Sequence, residues 1–261
     1  NNAYEVGAIV AKESRAAGVQ WNLSPVVDVN NNPLNPIINT RSFSENPGIV
    51  SEYAAQYIRG LQENGMISTA KHFPGHGDTQ TDSHSSLAMI PSDSSRLWSV
   101  ELKPFIDVAN AGVDAIMIAH VHAPDFQPES DIPATLSKFW VTDILKNKIG
   151  YKGIIITDGM GMGGVTKNYA DDYAIIEAVK AGCDVIIQNY DIVGSINAIE
   201  DAVKNNEISI EQINSSALKM LKMKENAGLH LNPFVDLDFM MKTIGIKEHR
   251  EASDRISTES I

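Results

Sequence analysis

Hydrophobic positions along the chain occur in short, nearly continuous runs that alternate with longer stretches in which apolar residues recur every three or four positions. Nearly continuous runs are typical of parallel strands covered on both faces, whereas the longer period is typical of amphipathic helices. The runs predict strands at residues 21–29, 67–73, 114–121, 153–157 and 184–188. The periodic stretches predict helices at residues 3–17, 48–64, 95–111, 137–148 and 171–181. Several of these helices end at a glycine, a common helix terminator.

Polar side chains collect where the predicted strands end. Asp28 follows "SPVV", the pair Lys71 and His72 follows "ISTA", His120 follows "IMIA", and Asp158 follows "IIIT". Alternating helices and strands predict a parallel sheet, in either a doubly wound sheet or a closed barrel. Reactive side chains at one end of several strands are typical of a barrel, and the sequence lacks the glycine-rich phosphate motifs of many open sheets. We therefore predict an α/β fold of the (β/α)8, or TIM-barrel, type.

Five predicted strands fall short of the eight that close such a barrel. After the last of them the pattern is mostly helical, at residues 194–205 and 210–226. Residues 229–261 change character, because they begin with a proline-containing turn and end in a charged helix. The sequence thus predicts an incomplete catalytic barrel over residues 1–228, with its first strands upstream of Asn1, followed by a linker and a helix.

Composition and charge narrow the classes of function. The 261 residues carry a formal net charge of −12, which argues against nucleic-acid binding because phosphate contacts need clustered Lys and Arg. Cys183 is the only cysteine, so no intrachain disulfide forms. The sequence contains neither an apolar run of membrane-spanning length nor a signal-peptide pattern. Because it also lacks an initiator Met, we expect a processed chain or an excerpt of a longer protein.

The stretch "KHFPGHGDTQTDSH" is the densest concentration of chemistry in the chain. His72 and His76 have the i,i+4 spacing that suits zinc on a helix, and Asp78, Asp82 and His84 could add ligands. A proline and two glycines break any helix there, however, which weakens the metal interpretation. A polar surface loop explains the Gly, Asp, Thr and Ser residues, but it explains three histidines poorly.

A catalytic interpretation begins from "DSH". Residues i and i+2 of an extended segment point to the same side, so Asp82 is placed to meet the imidazole of His84. A carboxylate orients an imidazole and favours its protonated form, which suits a general acid that later acts as a base. Asp158, at a rigid strand end, is then the natural nucleophile. The small residues of "DGMGMGG" leave room for a ligand, and Met162 within this segment is a candidate pocket residue.

Several motifs, in order, resemble glycoside hydrolase family 3, and more narrowly its bacterial β-N-acetylglucosaminidase branch. They are "SPVVDVNNNPLNPIINTRSF", "KHFPGHGDTQTDSH", "IMIAHV", "PATLS" and "IIITDGMGM". The resemblance runs from about Trp21 to Gly164, and the KH-x-PGHGD-x(3)-DSH pattern is highly specific. The opening strands and their acidic "D-x-EGG" sugar-binding motif are not in this sequence. The tail "GIKEHREASDRISTESI" resembles the connection to an absent C-terminal α/β domain.

The resemblance implies a retaining glycosidase that hydrolyses terminal β-linked N-acetylglucosamine. Asp158 would form the covalent glycosyl-enzyme, and His84, paired with Asp82, would act as acid and base, a variation on the usual two carboxylates. The family's Lys-His pair, which binds sugar hydroxyls, matches Lys71 and His72. Its substrate-binding arginine matches Arg41. Four further residues fall in matching motifs and are assigned looser roles in shaping the loop or pocket: His76, Asp78, Asp28 and His120.

Family likeness further suggests cell-wall muropeptides or chitooligosaccharides as substrates, with neither a metal nor an organic cofactor. Phosphorolysis of the same glycosides is a close alternative, and a β-glucosidase or xylosidase is another. From different classes, a metal-dependent hydrolase using His72, His76, Asp78 and His84, or a non-catalytic sugar-binding relic, stays open. The natural aglycone and the oligomeric state are not indicated. Localisation is open too, with the tail favouring a periplasmic or envelope protein over a cytoplasmic one.

Overall fold

A computed structural model describes residues 2–91, 93–127, 131–188 and 190–260. Its strands are β1 (Thr69–Phe73), β2 (Ala88–Met89), β3 (Ala115–Ile118), β4 (Val121–His122), β5 (Ile154–Gly159) and β6 (Val185–Ile187). Four of them form a parallel sheet in the order β1-β3-β5-β6, and β2 pairs in parallel with β4. The predicted parallel sheet is confirmed. Within the described residues this sheet stays open rather than closing into a ring.

The helices surround the sheet. They are α1 (Asn2–Ala16), α2 (Pro47–Glu63), α3 (Ser94–Arg96), α4 (Lys103–Asn110), α5 (Gly163–Thr166), α6 (Asp171–Ala181), α7 (Ile192–Lys204), α8 (Ile210–Asn226), α9 (Leu237–Thr243) and α10 (Lys247–Glu259). Two π-helical segments, Leu97–Glu101 and Phe139–Lys148, and two single 3₁₀ turns, Asn39–Arg41 and Ala134–Leu136, complete the list. None of the described helices combines the length and apolarity needed to cross a membrane.

The strand predicted at residues 21–29 is wrong in extent. This segment runs parallel to β1, but it makes only two isolated bridges, Trp21 with Ile67 and Val26 with Lys71. Proline has no N–H to give to a ladder, and Pro25 interrupts the pairing midway. The segment nevertheless delivers Asp28 to the same edge of the sheet as β1, because the backbone N–H of Val27 donates to the Lys71 carbonyl at 2.7 Å.

The helix predicted at residues 95–111 is interrupted. It divides into α3, the π-helical segment Leu97–Glu101 and α4, whose second residue is Pro104. A proline belongs in the first turn of a helix, because it has no N–H to donate there. The apolar faces still reach the core, where the buried rings of Phe73, Phe105 and Trp140 pack edge to face beneath the sheet.

Candidate active site

The predicted site residues lie at the carboxyl ends of the parallel strands. Lys71 and His72 belong to β1, Asp158 belongs to β5, and His120 follows β3. Because β3 lies between β1 and β5, the three strand ends are neighbours at one edge of the sheet. The crevice outside the carboxyl ends of parallel strands is where α/β proteins bind ligands.

Asp28 is fully buried at this edge and hydrogen-bonds to the end of β1 and to the segment that follows it. Its Oδ2 accepts a hydrogen bond from Nδ1 of His72 at 2.7 Å, and its Oδ1 accepts one from the backbone N–H of His76 at 2.6 Å. The backbone N–H of His72 lies 3.2 Å from Oδ2. Burial by itself would raise the pKa of the Asp28 carboxyl, but the imidazoles of His72 and His76 hold that pKa below its ordinary value. Asp28 is therefore a buried anion that accepts hydrogen bonds from three N–H groups.

The side chains predicted to bind substrate meet beside Asp158. Burial lowers the pKa of the Lys71 ammonium and the positive charge of Arg41 lowers it further, while Asp158 and Asp28 act in the opposite direction. Arg41 and Asp158 thus both lie within electrostatic reach of Lys71. Nη2 of Arg41 lies 3.5 Å from Nε2 of His72. Two cations, an imidazole and a carboxylate thus influence one another at this edge, a combination of donors and acceptors that suits the binding of a polyhydroxylated ligand.

Asp158 is half-buried, and its Oδ1 accepts a hydrogen bond from the N–H of Gly159 at 2.8 Å. His120 supports this turn from below. Its Nε2–H donates to the Gly159 carbonyl at 2.9 Å, and its Nδ1 lies 2.8 Å from Oγ1 of Thr135. Burial lowers the pKa of His120 despite the charge of Asp158, which keeps the imidazole neutral. The structure gives His120 contacts within the protein at both ring nitrogens and no exposed surface.

The predicted acid/base pair, Asp82 and His84, forms in the loop between β1 and β2, residues 74–87, which we name the acid/base loop. Nδ1 of His84 lies 2.7 Å from Oδ1 of Asp82, which also accepts the backbone N–H of His84 at 2.8 Å. Partial burial would raise the pKa of Asp82, but these two hydrogen bonds and the His84 charge lower it. The side chain of His84 is 62% exposed and that of Asp82 is 37% exposed. The pair is therefore open to solvent, with Nε2 of His84 left as the ring atom for proton transfer.

Two glycines connect the acid/base loop to the loop that follows Asp158. The N–H of Gly163 donates to the His84 carbonyl and the N–H of Gly164 donates to the Ser83 carbonyl, each at 3.0 Å. A Cβ at Gly163 would lie only 2.8 Å from the His84 carbonyl oxygen, so the approach requires glycine. Met162, directly before this pair, is half-buried where α5 begins. The glycines thus hold the acid/base loop against the end of β5.

His76 and Asn35 stabilise the acid/base loop through hydrogen bonds on its buried side. The side chain of His76 is buried, with Nδ1 2.6 Å from Oγ1 of Thr79 and Nε2 2.9 Å from Oγ of Ser83. Nδ2 of Asn35 donates to the carbonyls of His76 and Gly77 at 2.7 and 2.9 Å. Ser83 directly precedes His84, so these hydrogen bonds restrict the position of the predicted acid. His76 lies behind the site and stabilises the loop.

Asp78 is held in an ion pair with an arginine. Its Oδ2 accepts a hydrogen bond at 2.5 Å from Arg96, which also contacts the buried Glu101 at 3.2 Å. Each of the four residues of the metal interpretation is instead hydrogen-bonded to different protein groups: His72 to Asp28, His76 to Thr79 and Ser83, Asp78 to Arg96, and His84 to Asp82. Across the described parts of the chain, no three His, Cys, Asp or Glu side chains converge in a way that could hold a metal ion.

The sequence analysis missed three parts of this arrangement: the hydrogen bonds of Asn35 to the acid/base loop, those of the Thr79 and Ser83 hydroxyls to His76, and those of Gly163 and Gly164 to the same loop. The glycine pair after Asp158 is evident in the sequence, but we interpreted it as flexible and as leaving space for a ligand, not as a point of close backbone contact. Asn35 lies in "NPLNP", where an Asn before Pro indicates only a turn. Its partners are 41 and 42 residues away in sequence, and local patterns carry no signal for them.

Comparisons with known proteins identify the family to which the chain belongs. The model of the glycosyl hydrolase family 3 N terminal domain matches residues 1–223. Beta-hexosaminidase A of Pseudoalteromonas piscicida is 32% identical to this chain over 278 residues, covering 99% of the chain and 46% of that protein. A solved glycoside hydrolase family 3 beta-N-acetylglucosaminidase from Paenibacillus sp. str. FPU-7 superposes with a TM-score of 0.90 at 36% identity, covering 98% of this chain and 49% of that one.

A solved beta-glucoside phosphorylase bound to 2FGlc also superposes with a TM-score of 0.90, at 25% identity, and covers 96% of this chain and 46% of that one. The chain therefore spans about half the length of the relatives it matches. The likeness confirms the predicted (β/α)8-type fold class, of which the described residues form an open parallel sheet with its helices. The division between residues 1–228 and 229–261 stays a prediction.

Proposed function

Because the chain belongs to glycosyl hydrolase family 3, we propose that it carries the catalytic site of a retaining exo-β-N-acetylglucosaminidase. In this proposal Asp158 is the nucleophile, and His84 with Asp82 is the acid/base pair. Terminal β-linked N-acetylglucosamine of cell-wall muropeptides or chitooligosaccharides is the proposed substrate. The proposal covers the activity and the substrate of the whole protein.

One observation carries the proposal: the loop that bears His84 is hydrogen-bonded to the loop that follows Asp158. The two contacts, Gly163 to His84 and Gly164 to Ser83, tie the acid/base loop to the strand end that presents the carboxylate. A retaining glycosidase needs a nucleophile and a proton donor fixed relative to one bond. A surface loop that only happened to be polar would not need this attachment.

The reaction follows from these two groups. In the first step a carboxylate oxygen of Asp158 forms a bond to the anomeric carbon, the bond from that carbon to the leaving oxygen breaks, and His84 gives its proton to that oxygen. In the second step His84 takes a proton from water, the water oxygen bonds to the anomeric carbon, and the Asp158 ester bond breaks. Asp82 accepts from Nδ1 of His84 throughout, so Nε2 is the atom that gains and loses the proton.

Binding of the sugar is assigned to the cations Arg41 and Lys71 together with the imidazole of His72. Lys71 and Arg41 offer N–H donors to hydroxyl oxygens, and their positions beside Asp158 suit a ring bound with its anomeric carbon at that carboxylate. The predicted assignment of His76 and Asp78 to the pocket has less support. Both side chains are engaged by protein groups behind the loop.

The test is hydrolysis of p-nitrophenyl N-acetyl-β-glucosaminide by the full-length protein, with chelator present, for wild type and Asp158→Ala. We expect turnover in wild type and a loss of about 10⁴-fold or more in the variant, because removing a nucleophile abolishes the covalent route. An inactive wild type, an active Asp158→Ala, or loss of turnover on chelation would each overturn the proposal, and the last would favour the metal-dependent hydrolase.

Phosphorolysis is the second candidate, favoured by the nature of the acid/base group. Once His84 has given up its proton it is neutral, so it does not repel an incoming phosphate as a carboxylate would. A beta-glucoside phosphorylase is among the similar structures. Adding inorganic phosphate during turnover separates the two reactions. N-acetylglucosamine 1-phosphate as the main product would support phosphorolysis, and free N-acetylglucosamine at every phosphate concentration would support hydrolysis.

A further inference from the structure

The fully buried carboxylate of Asp28 lies behind the sugar-binding cluster, where no substrate reaches it. It accepts from three N–H groups, namely Nδ1 of His72, the backbone of His72 and the backbone of His76, at distances from 2.6 to 3.3 Å. An ionised carboxylate has only acceptor sites, so it fixes the direction of each of these hydrogen bonds. In particular, Nδ1 of His72 must carry its hydrogen.

The other side of the His72 ring faces Arg41. A guanidinium has five N–H donors and no acceptor, so a contact with Nε2 is favourable only when Nε2 has a free lone pair. Asp28 on one side and Arg41 on the other therefore select the same tautomer, with the hydrogen on Nδ1 and the lone pair on Nε2. The separation of 3.5 Å is at the outer limit of a hydrogen bond, so a substrate hydroxyl can replace Arg41 as the donor to this lone pair.

We propose that Asp28 is a positioning residue that fixes the tautomer and orientation of His72, so that Nε2 accepts a hydrogen bond from a substrate hydroxyl. This inference rests on the proposed function, since it deepens the role of one of its binding residues. Asp28 does not touch the substrate and acts only through His72. Its second hydrogen bond, to the N–H of His76, keeps the following loop in place and is separable from this role.

Asp28→Asn separates the two roles. An Asn can still accept the His76 N–H with its single oxygen, but its amide N–H₂ then faces Nδ1 of His72. Nδ1 must become the acceptor, the hydrogen moves to Nε2, and an N–H points at Arg41 and at the ligand. We expect kcat/KM on the aryl N-acetylglucosaminide to fall by about 10- to 100-fold, the usual range when a carboxylate that orients a functional histidine is removed.

A double-mutant cycle tests whether the effect passes through His72. With His72→Ala already present, Asp28→Asn should cost less than about 3-fold, because the coupling of residues in contact disappears with one partner. Asn35→Ala is the matched control, since it removes a buried anchor of the same loop without touching His72. Its loss should be the same in both backgrounds. An equal loss from Asp28→Asn in both backgrounds would overturn the inference.

A measurement on the wild type decides the matter if Asp28→Asn fails to fold. Two-bond ¹H–¹⁵N correlation spectra of histidine-labelled full-length protein distinguish the two tautomers, and the His72 signals are assigned by their absence in His72→Ala. We expect the Nδ1–H pattern, and an Nε2–H pattern refutes the inference. The outcome is independent of turnover, so an inactive wild type with the Nδ1–H pattern would defeat the proposed function alone.

Discussion

Among the described residues, two aspartate–histidine pairs share the same contact and have opposite surroundings. In both, a carboxylate oxygen lies 2.7 Å from Nδ1 of the imidazole, in His72 with Asp28 and in His84 with Asp82. The side chains of the first pair are 7% and 0% exposed, whereas those of the second are 62% and 37% exposed. The shared contact orients the ring, and in the proposed function the surroundings separate a ring that exchanges protons, His84, from a ring that keeps a fixed hydrogen-bonding direction, His72.

The sharpest way to break this comparison is to remove each imidazole and vary the leaving group. His84→Ala should lose about 10²- to 10⁴-fold on chitobiose, whose alcohol leaving group needs a proton, and far less on a p-nitrophenyl substrate, which leaves as a stable anion. His72→Ala should lose the same factor on both, because a binding residue is indifferent to the leaving group. Parallel kinetics on the two substrates check this, and a leaving-group dependence in His72→Ala instead would reverse the assignment.

Removing the carboxylates should separate the pairs by stability. Asp28→Ala leaves three N–H groups in the interior without their acceptor, so we expect the free energy of unfolding to fall by at least about 3 kcal/mol. Asp82→Ala removes a solvent-screened pair, so we expect a loss below about 1 kcal/mol. Urea unfolding of both variants measures the difference. Equal losses would mean that burial does not distinguish the two pairs.

The attachment of the exposed pair can be tested without touching either of its residues. Gly163→Ala places a Cβ 2.8 Å from the His84 carbonyl oxygen, which forces the acid/base loop away from β5. A displacement of about 1 Å at a catalytic group costs on the order of 10²-fold in rate, so we expect that loss on chitobiose and a smaller one on the p-nitrophenyl substrate. Thr166→Ala, three residues later on the surface of α5, is the control and should retain wild-type kinetics. A Gly163→Ala variant with wild-type activity would show that the loop needs no such attachment.

The exposed pair was predictable from the sequence and the buried pair was not, for a physical reason. Asp82 and His84 are two residues apart, so local geometry alone brings them together. Asp28 and His72 are 44 residues apart, and they meet only because the segment before Asp28 runs beside β1. Strand-end chemistry correctly placed both residues at the same edge of the sheet. It could not show which of the polar groups there pair with each other.

The same limit applies to the fold. Nearly continuous apolar runs located β1, β3, β5 and β6, because burial on both faces leaves a strong signal in composition. The two-residue strands β2 and β4 are too short to show an alternating pattern of their own, and Val121 of β4 was predicted as the end of the strand at residues 114–121. The helix predicted at residues 137–148 is present over Phe139–Lys148, but with π-helical hydrogen bonding that its apolar pattern does not indicate.

The smallest expected effect is a pH dependence of stability that arises from buried histidines alone. Burial lowers the pKa of three histidines, His76, His120 and His122. Nearby carboxylates (Asp28, Asp158 and Asp131) partly offset this lowering, whereas His72 and His84 add to it at the first two positions. As the pH falls below about 6.5, the unfolded chain therefore takes up protons at these three positions before the folded chain does. Their contribution to stability is present above that pH and is lost as the pH falls towards their folded pKa values.

Urea midpoints between pH 7 and 5.5 measure this slope, with each protonation difference contributing at most about 1.4 kcal/mol per pH unit. His120→Gln should reduce the slope, because its amide keeps hydrogen bonding to Gly159 and Thr135 but does not titrate. An unchanged slope in His120→Gln would show that burial of this imidazole does not link protonation to folding.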